Sequence, residues 1–215
     1  MTRAYFKSAG RLASALIAGG LIWTATALPA AAQSLSSAQI LKALAPPAPP
    51  VTRSLSISPG AAPNAGDQTF IEGLRHHANS LNAEESDRVA TLAKDRPKID
   101  LEIYFEYNSA AISPKAEPQL KELGEALNDE ALKNAVIVLG GHTDAKGSDQ
   151  YNQGLSQRRS EAVKTYLMQK LRVSADNLTT AGYGKRDLKN RTDPFAAENR
   201  RVEIVNMSAK ATASR

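Results

Sequence analysis

Hydrophobic and polar positions alternate with period two from Ile99: Ile99, Leu101, Ile103, Phe105 and Tyr107 fall on one side, Asp100, Glu102 and Glu106 on the other. That pattern predicts a half-buried strand. Beyond it the period lengthens to that of a helix. Ala116, Leu120, Leu123 and Leu127 share a face, Ser113 is placed to cap it, and Pro118 is compatible only with its start. Val136-Ile137-Val138-Leu139 is apolar without interruption and predicts a central strand ending at Gly140-Gly141. A helix is expected next, to about Leu171, with Ala162, Val163, Tyr166, Leu167 and Leu171 facing inward. Short strands are expected at 178–183 and 202–207 around a polar loop, 184–199. Strand, helix, strand, helix, strand, strand over 98–208 implies an α+β domain: a mixed sheet of about four strands with helices packed on one face. Upstream, Asn82-Ala83-Glu84-Glu85 has capping-box form ahead of Val89, Leu92 and Ala93. With Phe70, Ile71 and Leu74 before it and Pro97 after it, residues 67–97 read as a helical extension.

The N-terminal third has a different character. Residues 1–32 begin with Arg3, Lys7 and Arg11, continue through an apolar stretch from Leu12, and end in Ala30-Ala31-Ala32, the layout of a signal peptide cleaved after Ala32. The competing reading retains this segment as an inner-membrane anchor, because Leu12 to Ala32 carries no charge. Residues 33–66 are rich in Ala, Pro and Ser, centre on Ala45-Pro46-Pro47-Ala48-Pro49-Pro50, and are expected to form an extended, mobile tether. A disordered tail is expected at 209–215.

Charge and composition exclude several classes. The chain has 27 Lys+Arg against 22 Asp+Glu. Without the three basic residues of the leader, 24 remain against 22, too even a balance for a nucleic-acid binder. With no cysteine, disulfide scaffolds, thiol catalysis and lipidated-cysteine anchors are ruled out. Neither a Gly-x-Ser-x-Gly elbow nor a Gly-rich phosphate loop is present.

The segment richest in chemistry follows the central strand: Gly141-His142-Thr143-Asp144-Ala145-Lys146-Gly147, then Tyr151-Asn152, Leu155-Ser156 and Arg158-Arg159. With Phe105-Glu106-Tyr107-Asn108-Ser109-Ala110 before it and Gly182-Tyr183-Gly184 and Asn199-Arg200-Arg201-Val202 after it, this resembles the OmpA-like C-terminal domain over about residues 98–208. The resemblance implies the same α+β fold, no catalysis, no cofactor, and binding of peptidoglycan through the meso-diaminopimelate residue of its stem peptide. The free end of that residue carries an ammonium and a carboxylate on one carbon. By resemblance the ammonium falls to Asp144 and the carboxylate to Arg159, whose planar fork suits two charge-assisted hydrogen bonds. Thr143 and Asn108 stand where the family lines its pocket, and Asn199 and Arg200 belong to the matching Asn-Arg-Arg motif. Arg200 or Arg201 is expected on other carboxylates of the ligand, and Ser156 is read as a helix cap. The chain departs from the family pattern at Glu106, Tyr107 and Arg158-Arg159-Ser160.

Without the resemblance, Asp144 and Arg159 read first as a structural ion pair, since such pairs are common. His142 and Asp144 alternate on an extended segment and suggest a metal-dependent amidase, but His76 and His77 diverge on a helix and supply no third ligand. The basic residues between Lys185 and Arg201 offer a rim for an anionic polymer. The expected protein is therefore a non-enzymatic, periplasmic peptidoglycan binder near the outer membrane or wall. Other outer-membrane or periplasmic envelope proteins are candidate partners of its 67–97 helices.

Overall fold

A computed structural model describes residues 34–46, 64–75, 77, 80–106 and 108–208. The expected signal peptide at 1–32, most of the Pro-rich run, His76 and the tail at 209–215 lie outside the described residues. The sheet holds four strands, β1 (Lys98–Leu101), β2 (Ile137–His142), β3 (Leu178–Gly184) and β4 (Val202–Asn206), in the order β1-β4-β2-β3. β4 runs antiparallel to both neighbours, and β2 and β3 are parallel. The helices are α1 (Ser37–Leu44), α2 (Ala65–Leu74), α3 (Ala83–Leu92), α4 (Glu117–Leu127) and α5 (Asp149–Leu171). The fold is α+β with a mixed sheet, as the pattern predicts.

The unbroken apolar run in β2 is explained by burial on both faces. Ile137 and Leu139 join Leu178, Val202 and Ile204 beneath Leu120 and Leu123 of α4 and Val163 and Leu167 of α5. Val136 and Val138 join Ala181, Tyr183 and Val205 on the other face, where Ile71 and Leu74 of α2 and Val89 of α3 cover them. Helices therefore lie on both faces. Within 98–208 the helices α4 and α5 lie on one face, as expected; α1 joins them there, and the 67–97 extension seals the second face. The Asn82 capping box is present, its side chain accepting from Glu85 N while Glu85 accepts from Asn82 N, each at 2.9 Å.

Two further elements differ from their expectations. The tether reading of 33–66 fails for residues 37–44, which form α1. Ser36 and Gln39 make a capping box, and Ile40 and Leu44, both 0% exposed, enter the core beside α4. Gln119 Oε1 accepts from Leu35 N at 2.9 Å, and Asn206 Nδ2 donates to Leu44 O at 2.9 Å, so both ends of the helix are fastened. The strand expected through Tyr107 pairs only as far as Leu101, because its single partner β4 begins at Val202, opposite Leu101. Alternation outlasts the ladder: Ile103 stays buried, Glu102 exposed, and Phe105 bridges to Ile112.

Candidate functional site

The candidate site forms where β2 ends and α5 begins. Gly141 lies against the backbone of Ser156, leaving no room for a Cβ, so the helix rests directly on the strand. After β2 the chain stays tied down: Thr143 N donates to Gly184 O and Ala145 N to Pro194 O, both at 2.9 Å. Asp144 Oδ1 accepts from Lys146 N at 3.1 Å, Gly147 takes the left-handed conformation (φ +95°), and Ser148 caps α5 by accepting from Tyr151 N. Asn152 Nδ2 closes the turn onto Lys146 O at 2.9 Å.

Tyr151, Leu155 and Arg159, four residues apart on α5, form one wall of a cleft of about 620 Å³. Thr143 and Asp144 line it from the strand end, Phe105, Glu106 and Asn108 from the loop after β1, and Phe195 and Arg200 from the loop before β4. Asn108 adopts a left-handed backbone (φ 52°), which asparagine tolerates, and its Oδ1 accepts from Tyr151 Oη.

Two guanidinium groups and one aspartate line the cleft. Asp144 Oδ2 pairs with Arg200 Nη1 at 3.0 Å. Arg159 donates Nε to Ser109 O at 3.2 Å and lies over the Phe105 ring, 4.8 Å from its centroid. Among the described residues no carboxylate forms an ion pair with it. Its pKa is lowered, chiefly by burial and then by the charge of Arg200, with Tyr151 and Asp144 pulling the other way. The cleft thus holds a partly buried cation with unused donors and an acid whose partner, Arg200, is half-exposed.

Of the residues singled out in the sequence, Asn108, Thr143, Asp144, Arg159 and Arg200 line this one cleft. Thr143 is 2% exposed, and its hydroxyl has no hydrogen-bond partner among the described residues. Asn199 lies elsewhere. Fully buried, its amide donates to Asn190 O, Asp193 O and Pro194 O and accepts from Asn190 N, so it shapes the loop that carries Phe195. Arg201 also points away, onto Asp100 at 3.1 Å and Asp187 at 3.5 Å. Ser156 is not a cap: it sits inside α5, where its hydroxyl donates to Gln153 O and accepts from Gly184 N. His142 stacks on Tyr183, with ring centroids 5.0 Å apart, and lies 3.9 Å from Glu203, away from Asp144's cleft. No group of three metal-ligating side chains occurs among the described residues. Tyr151 and Leu155 stand in the sequence motif without an assigned role, although their spacing to Arg159 signals a shared face; nothing in the sequence marked Phe195.

A second cleft of about 720 Å³ lies on the other side of the α5 N-terminus, lined by Tyr183, Leu188 and Pro194 among others. Its charges are already satisfied: Lys185 pairs with Asp149 at 2.8 Å and Arg186 with Asp87 at 2.7 Å. Size therefore does not make it the better candidate.

Residues 104–201 match the model of the OmpA family. The chain is 34% identical over 108 residues to outer membrane porin F of Pseudomonas fluorescens, covering 49% of this chain and 32% of that protein. It is 37% identical over 84 residues to outer membrane protein A of Escherichia fergusonii, covering 39% of this chain and 34% of the other. The chain thus spans about a third of the length of these relatives. Among solved structures it is similar to the peptidoglycan-associated lipoprotein from Burkholderia pseudomallei, with 25% identity, a TM-score of 0.41, and coverage of 53% of this chain and 92% of that one.

Proposed function

This chain carries an OmpA family domain at residues 104–201, and on that premise we propose that it is a non-enzymatic peptidoglycan-binding protein of the cell envelope that grips the diaminopimelate side chain of the stem peptide. The observation that carries the reading is the presence in one cleft of an acid, Asp144, and a partly buried arginine that has no carboxylate of its own, Arg159. A zwitterionic amino-acid end group answers both. Its ammonium takes Asp144 in place of Arg200, and its carboxylate takes the free donors of Arg159. Arg200, released, faces a further carboxylate of the ligand. Thr143 and Asn108 each add a neutral hydrogen bond, worth about 1 kcal/mol.

Once the ligand covers the two side chains, losing either partner strands the ligand's opposite charge and costs on the order of 2 to 5 kcal/mol. The domain acts in the periplasm, and among the described residues no helix is long and apolar enough to cross a membrane. Co-sedimentation with purified sacculi tests the proposal. Asp144→Ala and Arg159→Ala should each abolish binding while the fold is retained, and lysine-type peptidoglycan, lacking the carboxylate, should be bound poorly. Retained sedimentation of both variants would remove the site.

A further inference from the structure

Phe195 is 63% exposed, the highest of the three exposed large hydrophobics among the described residues, and it lines the same cleft as the charged pair. A lone exposed phenylalanine on a mobile loop would call for no explanation. This one is held. Asn199, beneath it, spreads its amide over three carbonyls at 3.1 to 3.2 Å. Pro194 O accepts from Ala145 N, Phe195 N donates to Asp193 Oδ1 at 3.1 Å, and Arg200 Nη1 lies 3.5 Å from Phe195 O. The ring is presented at the rim by a loop that is ordered before any ligand arrives, which lowers the entropic cost of using it. Tyr151, 41% exposed and also lining the cleft, is fixed by its bond to Asn108. Aromatic faces therefore edge a cleft whose interior is charged.

We propose that Phe195, supported by Tyr151, is a platform for the apolar face of an amino-sugar ring covalently joined to the peptide held below, so that the domain favours glycan-linked stems over free peptide. This inference rests on the peptidoglycan reading above. The chemistry fits: a pyranose ring offers a flat face of C–H groups and an acetamido methyl to an aromatic surface, while its hydroxyls stay in water. The reach fits as well. A compact cleft of 620 Å³ is about 11 Å across, the span of roughly three extended residues, so a ligand anchored at Asp144 and Arg159 can deliver a sugar to the rim.

The test compares two ligands, a disaccharide-tripeptide and the free tripeptide, both with diaminopimelate, by calorimetry on the parent protein and on Phe195→Ser and Phe195→Trp. The parent should bind the disaccharide form about fivefold to tenfold more tightly. Phe195→Ser should erase that preference by weakening the disaccharide form about fivefold to tenfold more than the free tripeptide, and Phe195→Trp should keep it. Equal parent affinity for both ligands, a preference that survives in Phe195→Ser, or equal weakening towards both ligands would overturn the inference. If the parent binds neither, the diaminopimelate reading itself falls. Unchanged amide shifts over residues 190–199 establish that the serine variant keeps the loop.

Discussion

Placing a methyl group on Gly141 tests whether the strand-to-helix contact sets the geometry of the cleft. A Cβ there would lie 2.9 Å from the Ser156 carbonyl carbon and nearer still to its oxygen. Carbon atoms pack at about 3.5 to 4.0 Å, so α5 must retreat by roughly 0.6 to 1.1 Å, and the obstacle is backbone rather than a side chain that can rotate away. The retreat also strains the 2.9 Å bond from Gly184 N to Ser156 Oγ. Overpacking of this kind costs about 1 to 3 kcal/mol, or more where backbone must move. Arg159 lies one turn beyond Ser156 on the same helix, so it moves relative to Asp144 on the strand side. Gly141→Ala should therefore lower the urea midpoint by roughly 1 M, given a slope near 2 kcal/mol/M. The folded fraction should also bind diaminopimelate at least tenfold more weakly, the effect of losing about 1.4 kcal/mol. Gly73→Ala is the control. Nothing lies within 4 Å of its added Cβ, and replacing a helical glycine should stabilise by about 0.5 to 1 kcal/mol. A Gly141→Ala protein as stable as its parent, with unchanged affinity, would refute the reasoning.

Three other outcomes follow from particular contacts. Ile40→Ala with Leu44→Ala should release α1, lowering stability by about 2 to 5 kcal/mol and erasing amide protection at 37–44 while the sheet stays protected in hydrogen exchange; unchanged protection would show that α1 is not docked. Burial alone would raise the Glu203 carboxyl, but His142 at 3.9 Å and Lys98 at 2.8 Å more than reverse this and hold it at about 2. A carboxylate depressed by that much contributes up to about 3 kcal/mol above its unfolded pKa of about 4.3, and the contribution is lost as pH falls towards 2. Glu203→Gln should thus be less stable at pH 7, with the gap closing on acidification in a pH series of urea melts; a gap independent of pH contradicts this. Asn199→Ala should open the 184–199 loop to proteolysis at a cost of about 1 to 3 kcal/mol, because buried carbonyls lose their donor; a loop cleaved no faster than in the parent would show that Asn199 is not its latch.

The core was legible where periodicity alone decides it. Val136-Ile137-Val138-Leu139 announces a strand buried on both faces, yet reading its consequence required knowing that α2 and α3 supply the second cover. α1 was masked by the Ala/Pro-rich segment around it, although Ser36 with Gln39 and the four-residue step from Ile40 to Leu44 carry a helix signal. At the site, Asp144 and Arg159 are fifteen residues apart in sequence, and the Gly141 contact with α5 brings them to one cleft. Motif position could not separate Arg200 from Arg201, because the chain turns just ahead of β4 and sends one side chain into the cleft and the other onto Asp100. Asn199 shares the motif yet serves the loop, a distinction that only its buried hydrogen bonds reveal.

The most direct measurement of the central claim is a crystal structure with a diaminopimelate-containing muropeptide bound. The account predicts the ligand ammonium on Asp144 and its carboxylate on Arg159, each at about 2.7 to 2.9 Å, with Arg200 displaced from Asp144. A ligand seated in the second cleft, or one that leaves the Asp144–Arg200 pair intact and Arg159 untouched, would contradict it.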